Sequence, residues 1–140
     1  MVEKDVLIKR LTYLEGYLQD LTEVNKNYTW EQFSSDKIIR RYVERTLHMA
    51  VGACLDIANH IISYEGMREP KSNQDVLVVL GEDNIISLEL VERLKKMAQF
   101  RNVIVHDYIR VNPEIVYAIS VKHLDDLREY GLMIKASFCE

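Results

Sequence analysis

The 140-residue sequence predicts an all-α fold, an up-and-down bundle of about five helices. Three observations point there. Apolar residues recur three, four and seven positions apart over long stretches, which is the spacing of one helical face. Only two prolines and five glycines punctuate the chain, too few for an all-β protein, which needs turn residues about every 8–12 positions. Side chains suited to helix capping stand between the periodic stretches.

The first helix is expected from about Val2 to Asn25, with Val6, Leu7, Leu11, Leu14, Leu18 and Leu21 on its apolar face. Asn25 to Trp30 breaks the period and reads as a loop. Ser34, Ser35 and Asp36 offer capping oxygens for a long second helix over roughly residues 36–63. Its stripe is Ile39, Tyr42, Val43, Leu47, Ala50, Val51, Cys54, Ile57, Ala58 and Ile61. Small residues at Ala50, Gly52, Ala53 and Ala58 allow another helix to come close. Gly66 to Ser72, with Pro70, is a loop, and a short helix near Asp75 to Leu80 ends at Gly81. Ser87 opens the fourth helix, with Leu88, Leu90, Val91, Leu94, Met97 and Ala98 as its buried side. Asn112-Pro113 starts the last helix, which runs to about Ala136, with Asn as cap and Pro in the first turn.

A chain of this length is expected to be one domain, residues 1–140, able to bury a core without metal or disulfide staples. Apolar residues make up 48% and charged residues 29%, ordinary values for a globular protein. The N-terminus is charged from Glu3 onward and no apolar run is long enough for a signal peptide or a membrane span, so a cytoplasmic protein with no membrane contact is expected. Cys54 and Cys139 make neither a disulfide framework nor a zinc site and read as reduced thiols. The net charge of −4 argues against broad, nonspecific nucleic-acid binding, but not against a local basic patch. Lys37, Arg40, Arg41 and Arg45 form one basic cluster, and Lys95, Lys96, Arg101 and Arg110 another; such clusters are also what solvated helix faces look like.

The chemistry-bearing stretch is Phe100-Arg101-Asn102-Val103-Ile104-Val105-His106-Asp107-Tyr108. Continued as part of the fourth helix, Arg101 falls on the stripe of Leu90, Leu94, Met97 and Ala98, where a guanidinium is costly unless partnered. Asn102 and His106, four apart, share the neighbouring face. An Arg near a helix end can instead snorkel to water, and a lone His is often packed or solvated. Arg41 and His48 also fit a loose Arg-to-His spacing. The residue types nevertheless suit RNA cleavage without metal. An imidazole titrates where a base for the ribose 2′-OH is needed, and a guanidinium stabilises the developing pentavalent phosphate. One His does not readily act as base and acid in the same step, and a homodimer with two such segments face to face supplies the second. No Cys/His cluster, glycine-rich phosphate loop or His-Glu-x-x-His motif is present, so neither metal nor nucleotide cofactor is expected.

Arg101-Asn102-Val103-Ile104-Val105-His106-Asp107-Tyr108 resembles the Arg-x4-His-x-Tyr signature of HepT-like toxins in the HEPN superfamily. Arg45 to Ile62 is similar to that family's second helix, and Tyr108 to Pro113 fits too, with Asn112 where Asp is commoner. The resemblance implies a HEPN-like fold and a dimeric ribonuclease toxin, with Arg101 and His106 catalytic and Asn102 the adjacent polar residue. It also implies a minimal nucleotidyltransferase antitoxin, which in this family can transfer AMP onto the motif tyrosine, here Tyr108. The added anion beside the groove would repel RNA. Tyr108 is then a control point; otherwise it is an aromatic packing residue. Asp56 and His60, four apart on the second helix, either face the site, with Asp56 pairing with Arg101, or pair with each other on a wet surface. A reading of another class is a noncatalytic helical subunit that binds a nucleotidyltransferase and helps position its substrate.

Overall fold

A computed structural model describes residues 3–106 and 112–139 of the chain, with side chains over 3–99 and 112–139. Among the described residues the protein is all α, with seven helices in chain order. These are α1 (Lys4–Asn27), α2 (Trp30–Ser35), α3 (Lys37–Glu65), α4 (Asn73–Glu82), α5 (Leu88–His106), α6 (Pro113–Lys122) and α7 (Leu124–Phe138). The longest, α3, is the hub: each of the other six packs against it.

The leucines at 7, 11, 14, 18 and 21 of α1 are all buried, facing α3 and α7. Val43, Leu47, Ala50, Val51, Cys54, Ile57, Ala58 and Ile61 of α3 fill the centre, while Tyr42 at the edge of that stripe stays 43% exposed. Each fully buried Leu or Ile contributes about 1.5–3 kcal/mol from lost apolar hydration, so these two helices hold the bundle. Tyr130 of α7 is fully buried and donates its hydroxyl hydrogen to the Cys54 carbonyl at 2.7 Å, satisfying the polar tip inside the core. Burial pushes both the Tyr130 phenol and the Cys54 thiol up from their ordinary pKa values.

Asp36, Ser87 and Asn112 cap as read, whereas Ser34 and Ser35, also expected to cap the long helix, lie inside α2 and donate to the Glu31 carbonyl. Asp36 accepts from the backbone N–H groups of Ile38 and Ile39, Ser87 from Leu90, and Asn112 from Glu114. Gly66 ends α3 at φ +66°, the left-handed region that favours glycine.

Four further expectations are corrected. The segment expected as a loop from Asn25 to Trp30 is largely helical, because α1 runs on to Asn27 and α2 begins at Trp30. A capping box causes that second start: Thr29 accepts from the Gln32 backbone, and the Gln32 side chain accepts from the Thr29 backbone. Trp30, edge to face, and Phe33, tilted, then pack on Tyr117 of α6 at ring-centroid distances of 5.2 Å each. The expected last helix is two, divided at His123. Its N–H closes α6 onto Ile119, its carbonyl accepts from Asp126, and its Nδ1 lies 3.3 Å from the Asp126 carboxylate. Leu88, expected on the buried side of α5, is 70% exposed in the first turn. Gly81 does not end α4; it is buried inside the last turn, where a Cβ would meet Val91 of α5 at 2.7 Å. It is there for close helix packing.

Candidate active site

The helix that carries the Arg/His segment is anchored by its first three turns. Leu90, Val91, Leu94, Met97 and Ala98 are buried against α3, α4 and α7. On its flank Arg93 reaches across to α7, donating to Asp126 at 2.5 Å and Glu129 at 2.7 Å, with Glu89 of its own helix at 3.7 Å. The Glu129 carboxylate first, then that of Asp126, raises the guanidinium pKa further. Asp126 is 7% exposed, and its two oxygens are divided between Arg93 and His123. The clamp sets α5 against the α6–α7 junction.

Helical backbone continues from these anchored turns to His106. Positions 97, 98 and 101 therefore follow one row, and positions 102 and 106 share a face one turn apart. The side chains of Arg101, Asn102 and His106, and all of Tyr108, lie outside the described residues. The expected Asp56–Arg101 pair lies outside them for the same reason.

Beyond the segment, Asn112 caps α6 and Pro113 occupies its first turn, with Tyr117 locked against Trp30 and Phe33. A cleft of about 280 Å³ opens beside α5, lined by Glu92, Arg93, Lys96 and Met97 with Ile119 and His123. Met97 stands one turn before position 101.

Asp56 is exposed and lines a different cleft, of about 190 Å³, between α1 and α3. Arg10, Tyr13 and Tyr17 of α1 form one side of it, and His48, Met49, Gly52, Ala53 and Asp56 of α3 the other. The Arg10 guanidinium donates to the Asp56 backbone carbonyl at 3.1 Å. His60, one turn on, is half-buried with its ring 4.5 Å from that of Tyr64, and its Nε2 meets no hydrogen-bond partner among the described residues. The pair read as neighbours in sequence therefore face different surroundings. Arg10, Tyr13 and Tyr17 were not singled out from sequence, although their spacing of three and four places them on one helical face.

Of the two basic clusters, the one on α3 is partly engaged: Arg40 donates to the Ser34 carbonyl, while Lys37, Arg41 and Arg45 are exposed. No helix of the described residues is long and apolar enough to cross a membrane.

The family model for ribonuclease HepT-like proteins matches residues 14–133. The protein named mRNA nuclease HepT from Shewanella oneidensis is 32% identical over 132 residues, covering 94% of this chain and 98% of that protein. The tRNA nuclease HepT of Aphanizomenon flos-aquae is 27% identical over 135 residues, covering 96% and 88%. A tri-AMPylated Shewanella oneidensis HEPN toxin, solved in complex with its MNT antitoxin, superposes with a TM-score of 0.87 at 31% identity, covering 96% of this chain and 99% of that one. The α3-centred bundle, with the Arg/His segment on its fifth helix, thus belongs to the HepT-like ribonuclease family of HEPN proteins.

Proposed function

We propose that this protein is the ribonuclease toxin of a toxin–antitoxin pair. The observation that carries the reading is the Arg101/His106 spacing on a helix anchored in the bundle, within a chain similar along nearly its whole length to an mRNA nuclease. RNA is cut by attack of a ribose 2′-oxygen on the adjacent phosphorus, with departure of the 5′-oxygen. His106 takes the 2′-OH proton, and a second imidazole, from the other copy in a homodimer, returns a proton to the leaving oxygen. Arg101 holds the charge that builds on the phosphate, and Asn102 orients the imidazole or a phosphate oxygen. Every step is proton transfer or charge stabilisation by this chain's own side chains, so no metal ion enters the mechanism. Asp56 is given no catalytic role.

The partner is a minimal nucleotidyltransferase antitoxin, as in the similar complexes, and Tyr108 is the residue it AMPylates. The adenylyl phosphate adds negative charge two residues from His106, which disfavours an approaching RNA backbone. Both proteins work in the cytoplasm.

Purified protein is expected to cleave RNA in EDTA, leaving 2′,3′-cyclic phosphate or 3′-phosphate ends. His106→Ala and Arg101→Ala should each lower the rate at least about 100-fold while circular dichroism stays unchanged. Cleavage that survives both substitutions removes the site. The acidic net charge favours the noncatalytic-subunit reading. Only the nuclease reading predicts growth arrest, on expression without the partner, that requires His106.

A further inference from the structure

The α1–α3 cleft has the make-up of a site for a flat heterocycle. Tyr13, 52% exposed, and Tyr17, packed on the core beneath it, present two aromatic side chains one helical turn apart. Opposite them Gly52 and Ala53 carry almost no side chain, which leaves α3 open to a planar ring. Polar groups line the same cleft. The Asp56 carboxylate is an acceptor at one end, and Arg10 is held there by its bond to the Asp56 carbonyl. His48 lines the cleft eight residues before Asp56, and exposed Arg45, outside the lining, lies about one turn before His48 and Met49 on α3.

A protein of net charge −4 gains little from diffuse phosphate attraction, so contacts that are not ionic add to what its local cations supply. Stacking on aromatic side chains is the contact that tolerates any sequence. Among the described residues, α5 packs on α3, α4 and α7, and α1 forms the far wall of the cleft.

We propose that the α1–α3 cleft binds one nucleobase of a single-stranded RNA, stacked on Tyr13. Asp56 accepts from the amino or imino hydrogens of the base edge, and Arg45 faces the backbone phosphate. The inference rests on the ribonuclease reading for the identity of the ligand, but its test does not need catalysis.

The probe is a fluorescein-labelled, 2′-O-methylated oligoribonucleotide of mixed sequence, which has no free 2′-OH and is not cut. Its affinity for the full chain is read by anisotropy at several salt concentrations. Tyr13→Ala should weaken binding roughly tenfold with the salt slope unchanged, because the lost contact is not ionic. Tyr13→Phe, which keeps the ring, should bind as the unsubstituted protein does. Asp56→Ala should weaken binding to a lesser degree. Tyr13 is half in solvent, so loss of the fold does not explain a loss of affinity, and circular dichroism checks this directly. Unchanged affinity in Tyr13→Ala overturns the proposal even if RNA is cleaved normally. A free mononucleotide that binds as tightly as the oligonucleotide overturns the assignment to an RNA strand. Tight binding lost in Tyr13→Ala, in a protein that never cuts RNA, keeps the cleft and removes the nuclease reading instead.

Discussion

The residue with the most to lose from a single atom is Tyr130. Its hydroxyl lies in the core, 2.7 Å from the Cys54 carbonyl, where water cannot replace a missing partner. Tyr130→Phe keeps the ring and its packing but removes the donor, and should cost about 1–2 kcal/mol. Urea unfolding followed by tryptophan fluorescence measures this through Trp30. A variant as stable as the parent would mean that the carbonyl is already satisfied within α3. Sequence alone did not single out Tyr130, because one aromatic on an amphipathic helix gives no sign of where its hydroxyl points. The opposite held for Asp36, Ser87 and Asn112. There the capping role depends only on a side-chain oxygen two or three residues before a free N–H, a local relation visible in the residue string.

Elements were legible where periodicity decided them and obscure where tertiary contacts did. Helices α1, α3 and α5 follow apolar stripes long enough to read, and the buried faces match except at the margins, Tyr42 and Leu88. The break at His123 has no proline or glycine to announce it. It is set by Asp126 meeting Arg93 from another helix, which no local pattern reveals. Helix α2 was legible in principle, since Thr29-x-x-Gln32 is a capping-box spelling. The loop between α3 and α4 is tied by a similar long-range device: Arg68 forks onto Asp75 at 2.8 Å and reaches Glu82 at 2.8 Å. Arg68 first, then the Lys71 backbone N–H at 2.9 Å, holds the Asp75 carboxyl well below the usual carboxylate range. A depressed folded-state pKa means the contribution is complete above the unfolded value near pH 4 and fades as acid protonates the carboxylate. Asp75→Asn should therefore be less stable than the parent at pH 7, with the gap narrowing from about pH 5 downward. Urea midpoints of both proteins across pH 7 to 3 measure it. A gap that stays constant over that range removes the ion pair as its cause. Because Arg68 and Glu82 are exposed and Asp75 is only partly covered, added salt should shrink the gap as well.

At the scale of the whole molecule, the proposed mechanism leaves a one-chain site short of a group. The 2′-OH must lose a proton while the 5′-oxygen gains one, and each segment brings a single imidazole at position 106. The spacing of Arg101 and His106 was plain in the sequence. Their side-chain surroundings were not, because the neighbours that other helices or another chain bring leave no trace in the periodicity of one segment. If two copies close around one phosphate, a dimer with one intact His106 lacks either the base or the acid. Mixing the unsubstituted protein with His106→Ala and allowing the subunits to exchange then makes activity follow the square of the unsubstituted fraction. An equal mixture should retain about a quarter of the starting rate rather than half. The measurement is the initial rate of RNA cleavage against mixing ratio at fixed total protein, after incubation long enough for exchange. A linear fall would mean that each copy cuts by itself, and the second proton would have to come from water or another side chain of the same chain. A quadratic fall, together with a rate that drops on dilution below the dimer dissociation constant, places one catalytic centre at the two-fold axis.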